Sequence, residues 1–254
     1  ITFRGEPGAV IDTKNPKTLD GINIERGSWI TIEGFTVINQ GRAGIRVGNG
    51  DNIVVRNNVS SNNGKWGIFS THVDDLLIEG NSTSGSLKEH GIYVSNSGDR
   101  PIIRKNIVFG NKGSGIHMNG DLSQGGDGII SNALIEGNTI YNNGYSGSGI
   151  NMDGVQDSLI RNNLIYDAQL FKYNSAAPSI NNTVVFNTIV NAADSKNAAL
   201  NIKDGSTGTK IFNNILLTRR TTYATAISYS EDSLPGTISD FNVLSPNVNS
   251  WTSI

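Results

Sequence analysis

The sequence predicts an all-β fold: a right-handed parallel β-helix, a solenoid of about nine coils. Two observations carry this prediction. The chain is built from similar units of roughly 22 to 27 residues, a period typical of solenoids. Within each unit, apolar and polar residues alternate over short stretches, as in β-strands, and no helical pattern separates these stretches. Successive units must therefore stack on one another to bury their apolar side chains.

Each unit opens with Gly-Ile-x-Val and passes through a polar turn. It closes with the pattern apolar-x-Ile/Val-x-x-Asn. The apolar pair of the opening strand, such as Ile45 with Val47, points to one side and forms the core. We expect the closing asparagines to be buried at one bend, where they satisfy backbone groups. They are Asn58, Asn81, Asn106, Asn138, Asn163, Asn187 and Asn214, and we place Phe35 and Phe241 at the same position in the flanking units.

The second strand of each unit carries a charge of alternating sign. Opposite charges on adjacent coils stabilise a stack modestly, so we expect a salt-bridged, solvated face. The residues are Glu33, Arg56, Glu79, Arg104, Glu136 and Arg161.

We interpret the chain as a single domain with an initial partial coil (residues 1–19), a parallel β-helix (20–244) and a C-terminal tail or cap (245–254). The formal net charge of -2 gives no reason to expect nucleic acid as a partner. No apolar run reaches the roughly 18 residues that a membrane span requires. Cysteine is absent, which fits a bacterial secreted protein, and we expect a monomer that is secreted, extracellular or periplasmic.

The outward residues of the first strand predict a binding wall. All three histidines, His72, His90 and His117, fall on it within three consecutive coils, and Trp66 lies beside them. Any one of these residues is most simply an exposed strand residue, but aromatic and polar groups that converge are suited to sugar rings. The first outward column reads Asn23, Arg46, Phe69, Tyr93, His117, Asn151, Lys172 and Asn201, and the second includes Asn119 and Asp153.

Aspartates flank this wall and are candidate calcium ligands, because calcium binds several oxygen atoms. The candidates are Asp121, Asp127 and Asp153, and the first two lie in a long loop directly after the His117 strand. The alternative is a turn role, since aspartate is a natural turn residue. We expect no other cofactor.

The opening segment ITFRGEPGAVID resembles the first coil of the pectate-lyase-like right-handed parallel β-helix superfamily. The repeated G-I-x-V and N-N-x-V units resemble the repeat of polysaccharide lyases and mannuronan C5-epimerases. Asn151-Met152-Asp153-Gly154 also looks like the Asn-Thr-Asp-Gly motif of polygalacturonases. The resemblance covers nearly the whole chain and implies a polysaccharide as the partner.

We therefore expect a lyase that catalyses β-elimination, or a C5-epimerase, acting on an acidic polysaccharide. Both reactions remove a proton beside a carboxylate and need a base, an acid and a group that neutralises the carboxylate. His117 or Lys172 is the candidate base, Tyr93 the acid, and Arg46 or calcium the neutralising group, with His90 as a further catalytic candidate. The candidate substrate-binding residues are Trp66, Phe69, His72, Asn119, Asn151 and Asp153.

Two other classes of function remain open. The first is a non-catalytic carbohydrate-binding or surface-scaffold β-helix. The second is an inverting glycoside hydrolase, which needs two carboxylates roughly 6.5–9.5 Å apart. On this wall only Asp153, with Asp121 or Asp204, could supply them.

Overall fold

The computed structural model describes residues 1–144, 148–166, 177–191, 198–219 and 225–245, together with the backbone of Phe171–Tyr173. In this part of the chain the strands pair in parallel, and the only helices are the single 3-10 turns Leu122–Gln124 and Glu231–Ser233. No described helix is long and apolar enough to cross a membrane. The predicted all-β parallel solenoid is confirmed.

Each coil contributes to three faces in turn, which we call the first, second and third sheets. Among the described residues the first sheet has nine strands, in agreement with the roughly nine predicted coils. They are Ile22–Glu25, Ala43–Arg56, Trp66–Asp74, Ile92–Ser95, Ile116–Asn119, Ile150–Asp153, Phe171–Tyr173, Leu200–Ile202 and Ile227–Tyr229. Ala43–Arg56 turns the corner without a break and belongs to the second sheet as well.

The other two sheets begin earlier along the chain. The remaining strands of the second sheet are Thr2–Arg4, Ser28–Glu33, Leu77–Glu79, Ile102–Arg104, Leu134–Glu136, Leu159–Arg161, Thr183–Val185, Lys210–Phe212 and Ile238–Asp240. Those of the third sheet are Val10–Ile11, Thr36–Ile38, Val59–Ser61, Ser82–Ser84, Ile107–Phe109, Thr139–Tyr141, Leu164–Tyr166, Thr188–Asn191, Ile215–Thr218 and Val243–Leu244. Ile130–Ser131 and Val155–Gln156 form a separate short pair.

The first described strands already belong to the solenoid. Thr2–Arg4 pairs in parallel with the second sheet and Val10–Ile11 with the third, so this segment supplies two sides of a coil. Val243–Leu244 is the last strand of the third sheet among the described residues. The predicted tail or cap from residue 246 onward lies outside the described residues.

The core consists of side chains that repeat in register along the axis. In the first sheet Ile45, Ile68, Ile92, Ile116 and Ile150 occupy equivalent positions of consecutive coils and are fully buried. Because residues alternate between the two sides of a strand, burying this column forces the intervening residues outward. The apolar pattern thereby determines which side chains form the outer wall.

The asparagine ladder is buried, as predicted, and its members are bonded from coil to coil. Asn81 Nδ2, for example, donates to Asn106 Oδ1 over 3.1 Å, and Asn106 Nδ2 donates to Asn138 Oδ1 over 3.0 Å. Asn106 is 1% exposed. The ladder thus replaces water as the hydrogen-bonding partner of the bend.

At one end the predicted ladder was wrong by one residue. Asn214 Nδ2 donates to Asn242 Oδ1 over 2.9 Å, so Asn242 and not Phe241 continues the ladder. The residue before each ladder position has a left-handed backbone, and Phe241 is such a residue, with φ 54°. Phe35 holds the expected place at the other end, and its N–H donates to Asn58 Oδ1 over 3.0 Å.

The charge ladder on the second sheet is confirmed. Arg104 Nε lies 2.8 Å from Glu79 Oε1, and Arg161 Nε lies 2.8 Å from Glu136 Oε1. Arg4 extends the ladder by one coil, 2.5 Å from Glu33. These pairs are partly exposed and contribute little individually, but they mark the register of every coil they join.

Candidate functional site

The outer face of the first sheet carries the predicted wall in the register that the repeat predicts. Tyr93 pairs with Phe69 on one side and with His117 on the other, and His117 pairs with Asn151. In the neighbouring column Asn119 pairs with Asp153. Paired strands lie about 4.8 Å apart, so these side chains come from consecutive coils and meet one another.

His117 is held by two residues of the next coil. The Nδ2 atom of Asn151 lies 2.8 Å from His117 Nδ1 and 3.0 Å from Asp153 Oδ2. His117 Nε2 lies 3.7 Å from the same carboxylate oxygen. The His117 side chain is 12% exposed and that of Asp153 is 13% exposed. The three residues form one polar cluster with a narrow opening to solvent.

Tyr93 stands beside His117, with ring centroids 4.8 Å apart and ring planes at 61°. Asn119 Nδ2 donates to the Tyr93 hydroxyl over 3.3 Å, which leaves the hydrogen of that hydroxyl for another acceptor. Burial raises the pKa of Tyr93, so the phenol stays protonated at neutral pH. Tyr93 can therefore donate a proton or a hydrogen bond to a ligand.

His90 packs flat against His117, with ring centroids 4.5 Å apart and ring planes at 8°. The backbone N–H of Ser114 donates to His90 Nδ1 over 2.9 Å, a bond that requires this nitrogen to be unprotonated. Burial lowers the pKa of His90 to about 4. At neutral pH His90 thus presents an uncharged ring to His117.

An aromatic group extends from Tyr93 towards the N-terminal coils. Trp66 and Phe69 stack with centroids 4.3 Å apart, and the Phe69 and Tyr93 centroids are 5.5 Å apart. Trp66 Nε1 donates to Glu89 Oε2 over 2.7 Å, and Lys65 Nζ lies 4.4 Å from the Trp66 ring centroid. The indole is fixed at its polar atom and covered by a cation.

Lys65 and Glu89 were not among the predicted site residues. Their signal was in the repeat, because each lies two positions before the opening glycine of its unit, Gly67 and Gly91. Adjacent units therefore bring a lysine next to a glutamate, and Lys65 Nζ lies 3.0 Å from Glu89 Oε1. The alignment of this position from coil to coil therefore predicts the pair.

The structure does not bring Arg46 to the Tyr93–His117 pair. Three coil steps separate Arg46 from His117 along the column, about 14 Å at the usual strand spacing. Arg46 is ion-paired with Glu25 and donates to Asn23 Oδ1 over 3.2 Å. The Arg46 charge is thus neutralised by Glu25, away from the Tyr93–His117 pair.

The backbone of Lys172 holds the predicted register position. It pairs with Asn151 on one side and with Asn201 on the other. The Lys172 side chain lies outside the described residues.

His72 lies at the corner between the first and second sheets, against the loop 121–128. Its Nδ1 is 2.9 Å from Thr71 Oγ1. The backbone N–H of Gly128 donates to Ser97 Oγ over 2.8 Å. A Cβ at Gly126 would lie 2.6 Å from Ser97 Oγ and 3.8 Å from His72 Cδ2, so the loop packs closely over both side chains. His72 belongs to this corner and not to the Tyr93–His117 cluster.

The loop aspartates are bonded within their own turns. Asp121 Oδ1 accepts from the N–H of Ser123 over 3.0 Å, and Asp127 Oδ1 accepts from the N–H of Ile129 over 2.9 Å. Among the residues that the structure describes, no three His, Cys, Asp or Glu side chains converge as a metal site requires. Calcium binding by Asp121, Asp127 and Asp153 stays a prediction.

The chain belongs to the right-handed β-helix family, whose family model, described as "Right handed beta helix region", matches residues 15–123 and 66–232. No curated protein matches the chain. Several solved structures have the same fold.

One is a C387A mutant of DFA-IIIase from Arthrobacter chlorophenolicus A6 in complex with DFA-III, with TM-score 0.71, 14% identity, and coverage of 92% of this chain and 60% of that one. Another is the A-module of the mannuronan C-5 epimerase AlgE4 from Azotobacter vinelandii, with TM-score 0.60, 19% identity, and coverage of 84% and 64%. The periplasmic alginate epimerase AlgG has TM-score 0.63, 18% identity, and coverage of 85% and 50%. The chain thus spans less than two thirds of each, and identities this low show the fold alone.

Proposed function

We propose that this chain acts on an acidic polysaccharide by β-elimination or C5 epimerisation at the outer face of its first sheet. The observation that carries the proposal is the position of Tyr93 next to the His117–Asp153 pair. The Tyr93 and His117 centroids are 4.8 Å apart, and His117 Nε2 lies 3.7 Å from the Asp153 carboxylate. A proton donor and a proton-accepting pair can then reach one sugar residue, as proton transfer beside a carboxylate requires.

The proposed reaction starts with removal of the C5 proton of a uronate, which the His117–Asp153 pair takes up while the electron pair spreads into the sugar carboxylate. In β-elimination these electrons form the C4–C5 double bond, the bond from C4 to the glycosidic oxygen breaks, and Tyr93 gives its proton to the leaving oxygen. In epimerisation Tyr93 gives its proton to the opposite face of C5, and the glycosidic bond is kept. In both cases the His117–Asp153 pair then releases its proton to water, and water returns a proton to Tyr93.

The developing charge on the sugar carboxylate calls for a cation. We assign this role to Lys172, whose backbone pairs with Asn151 one coil beyond His117. Arg46 is a poorer candidate because it is ion-paired with Glu25 and lies three coils from His117. No step of the proposed reaction uses calcium.

The names of similar structures support this choice of substrate. Two are epimerases, of mannuronan and of alginate, and a third was solved with DFA-III bound. The alginate epimerase is described as periplasmic, and we propose the same kind of location, periplasmic or extracellular, for this chain.

A second candidate is carbohydrate binding without turnover, which the aromatic group of Trp66, Phe69 and Tyr93 favours. Aromatic rings bind sugars through their apolar faces and need no catalytic group to do so. The two functions predict different results with the same substrates.

The test is incubation of the protein with a panel of uronic-acid polysaccharides, including alginate and polygalacturonate. A lyase produces an unsaturated end that absorbs in the ultraviolet, and an epimerase changes the uronate signals in the NMR spectrum without cutting the chain. New reducing ends without unsaturation would contradict the proposal and indicate a hydrolase. Binding with no product would instead indicate the second candidate.

A further inference from the structure

We infer that Asn151 is a positioning residue that fixes the ring hydrogen of neutral His117 on Nε2, the nitrogen that faces Asp153. The inference deepens the proposed function, since it concerns the same site. It rests, however, on hydrogen-bond geometry that exists without substrate.

The Asp153 carboxylate orients the side-chain amide of Asn151. Asp153 Oδ2 lies 3.0 Å from the nitrogen of the Asn151 amide. An ionised carboxylate only accepts hydrogen bonds, so an amide oxygen at this distance would repel it, and Asn151 must present its NH2 group. The charge of Asp153 therefore determines the orientation of the Asn151 amide.

The amide orientation then determines the tautomer of His117. The same NH2 group lies 2.8 Å from His117 Nδ1. This group has only hydrogens to offer, so Nδ1 must be the acceptor, and the single hydrogen of a neutral imidazole is on Nε2. The two hydrogens of Asn151 thus join His117 and Asp153 across two adjacent coils.

Burial makes the arrangement persistent. Asn151 is 8% exposed, and its strand is paired in register with that of His117. Turning the amide over would replace its hydrogen bond to Asp153 by a repulsive contact between two oxygen atoms, where little water can compensate. The His90 ring, stacked 4.5 Å from that of His117, limits tilting of the imidazole.

The tautomer of His117 gives different roles to the two members of the His117–Asp153 pair. Nε2 already carries a hydrogen and Nδ1 is covered by Asn151, so the pair takes up a substrate proton on the carboxylate. His117 then serves as a hydrogen donor towards Asp153, from 3.7 Å, in place of the base that the sequence predicts. The same geometry gives Asn151 a function that its position in the column alone did not indicate.

The test is ¹⁵N NMR of the histidine rings in the folded, substrate-free protein at neutral pH. The chain has three histidines, so a His117→Gln variant assigns the resonances of His117 by difference. A protonated and a bare ring nitrogen differ widely in ¹⁵N shift. We expect Nε2 to be protonated and Nδ1 to be bare. A hydrogen on Nδ1 in the wild-type protein would overturn the inference.

Two variants make the test specific. Asn151→Leu removes the donor and keeps a side chain of similar size, and we expect it to leave His117 with a mixture of the two tautomers. Asn201→Ala removes a buried asparagine two coils further along the same column and should leave the His117 spectrum unchanged. If Asn151→Leu does not fold, Asn151→Ala replaces it, with the same mixture of tautomers expected.

An unchanged His117 spectrum in the folded Asn151 variant would refute the role of Asn151. Because the spectra are recorded without substrate, this result is independent of the polysaccharide screen. A failed screen with the expected tautomer would overturn the proposed reaction and leave the positioning role intact.

Discussion

Replacing Asn106 by alanine removes four hydrogen bonds from the middle of the asparagine ladder. Asn106 Nδ2 donates to Ile78 O and to Asn138 Oδ1, each over 3.0 Å. Asn106 Oδ1 accepts from the backbone N–H of Asn81 over 2.9 Å and from Asn81 Nδ2 over 3.1 Å. The cost depends on which of these partners can bond elsewhere.

Two partners keep other bonds. Asn81 Nδ2 still donates to Val55 O over 2.8 Å, and Asn138 Oδ1 still accepts from the backbone N–H of Asn106 over 3.0 Å. The backbone N–H of Asn81 loses its acceptor at a position where Asn81 is 1% exposed. An unsatisfied buried group of this kind costs about 1–3 kcal/mol, which we expect as the loss in free energy of unfolding.

The assay is urea unfolding, in which a shift of midpoint at constant m reports stability. The matched control is Asn119→Ala, a half-buried asparagine in a strand of the first sheet. Its Nδ2 donates to the Tyr93 hydroxyl over 3.3 Å and not to the backbone, so we expect a loss below about 1 kcal/mol. Equal losses in the two variants, or no loss at Asn106, would show that burial of the ladder is not what stabilises it.

Three further predictions concern the wall. Tyr93→Phe and His117→Gln should each lower turnover of the polysaccharide at least about 100-fold, while circular dichroism shows that the fold is retained, because neither side chain belongs to the buried apolar core; full activity in either would remove that residue from the reaction. The pKa of His90 is about 4 when folded and near 6.5 when unfolded, so its contribution to stability is complete above pH 6.5 and is lost as the pH falls towards 4. That loss is at most about 3 kcal/mol, and His90→Gln should flatten this part of the pH–stability curve. EDTA should leave the unfolding temperature unchanged because Asp121 and Asp127 bond within their own turns; a calcium-dependent shift would instead support the predicted calcium ligands.

The features of the fold that depend on period were predictable from the sequence. Alternation in the strands fixes which residues point inward, so the pairing of Tyr93 with His117, and of His117 with Asn151, followed from aligning the repeats. The misplacement of Phe241 has a local cause, since the ladder position follows a left-handed residue and that backbone conformation left no signature in the side chain.

The chemistry of the wall was less predictable from the sequence, because it depends on which side chains form ion pairs and hydrogen bonds with one another. A column of outward residues does not reveal that Arg46 is engaged by Glu25. It also does not reveal that burial and a backbone donor keep His90 neutral, or that Asn151 reaches two partners at once. These outcomes depend on rotamers and on the environment of each group, neither of which the repeat encodes.

The asparagine ladder and the charge ladder have different periods along the solenoid axis. The asparagine ladder repeats with every coil, whereas the charge ladder repeats with every second coil. Excising residues 68–91 would leave asparagine on asparagine but would bring Arg56 against Arg104, two like charges in register. Excising residues 68–115 would bring Arg56 against Glu136 and restore the attraction. The second sheet therefore favours changes of length by coil pairs, and such a change would move whole rows of the wall as units, for example bringing Arg46 next to His117.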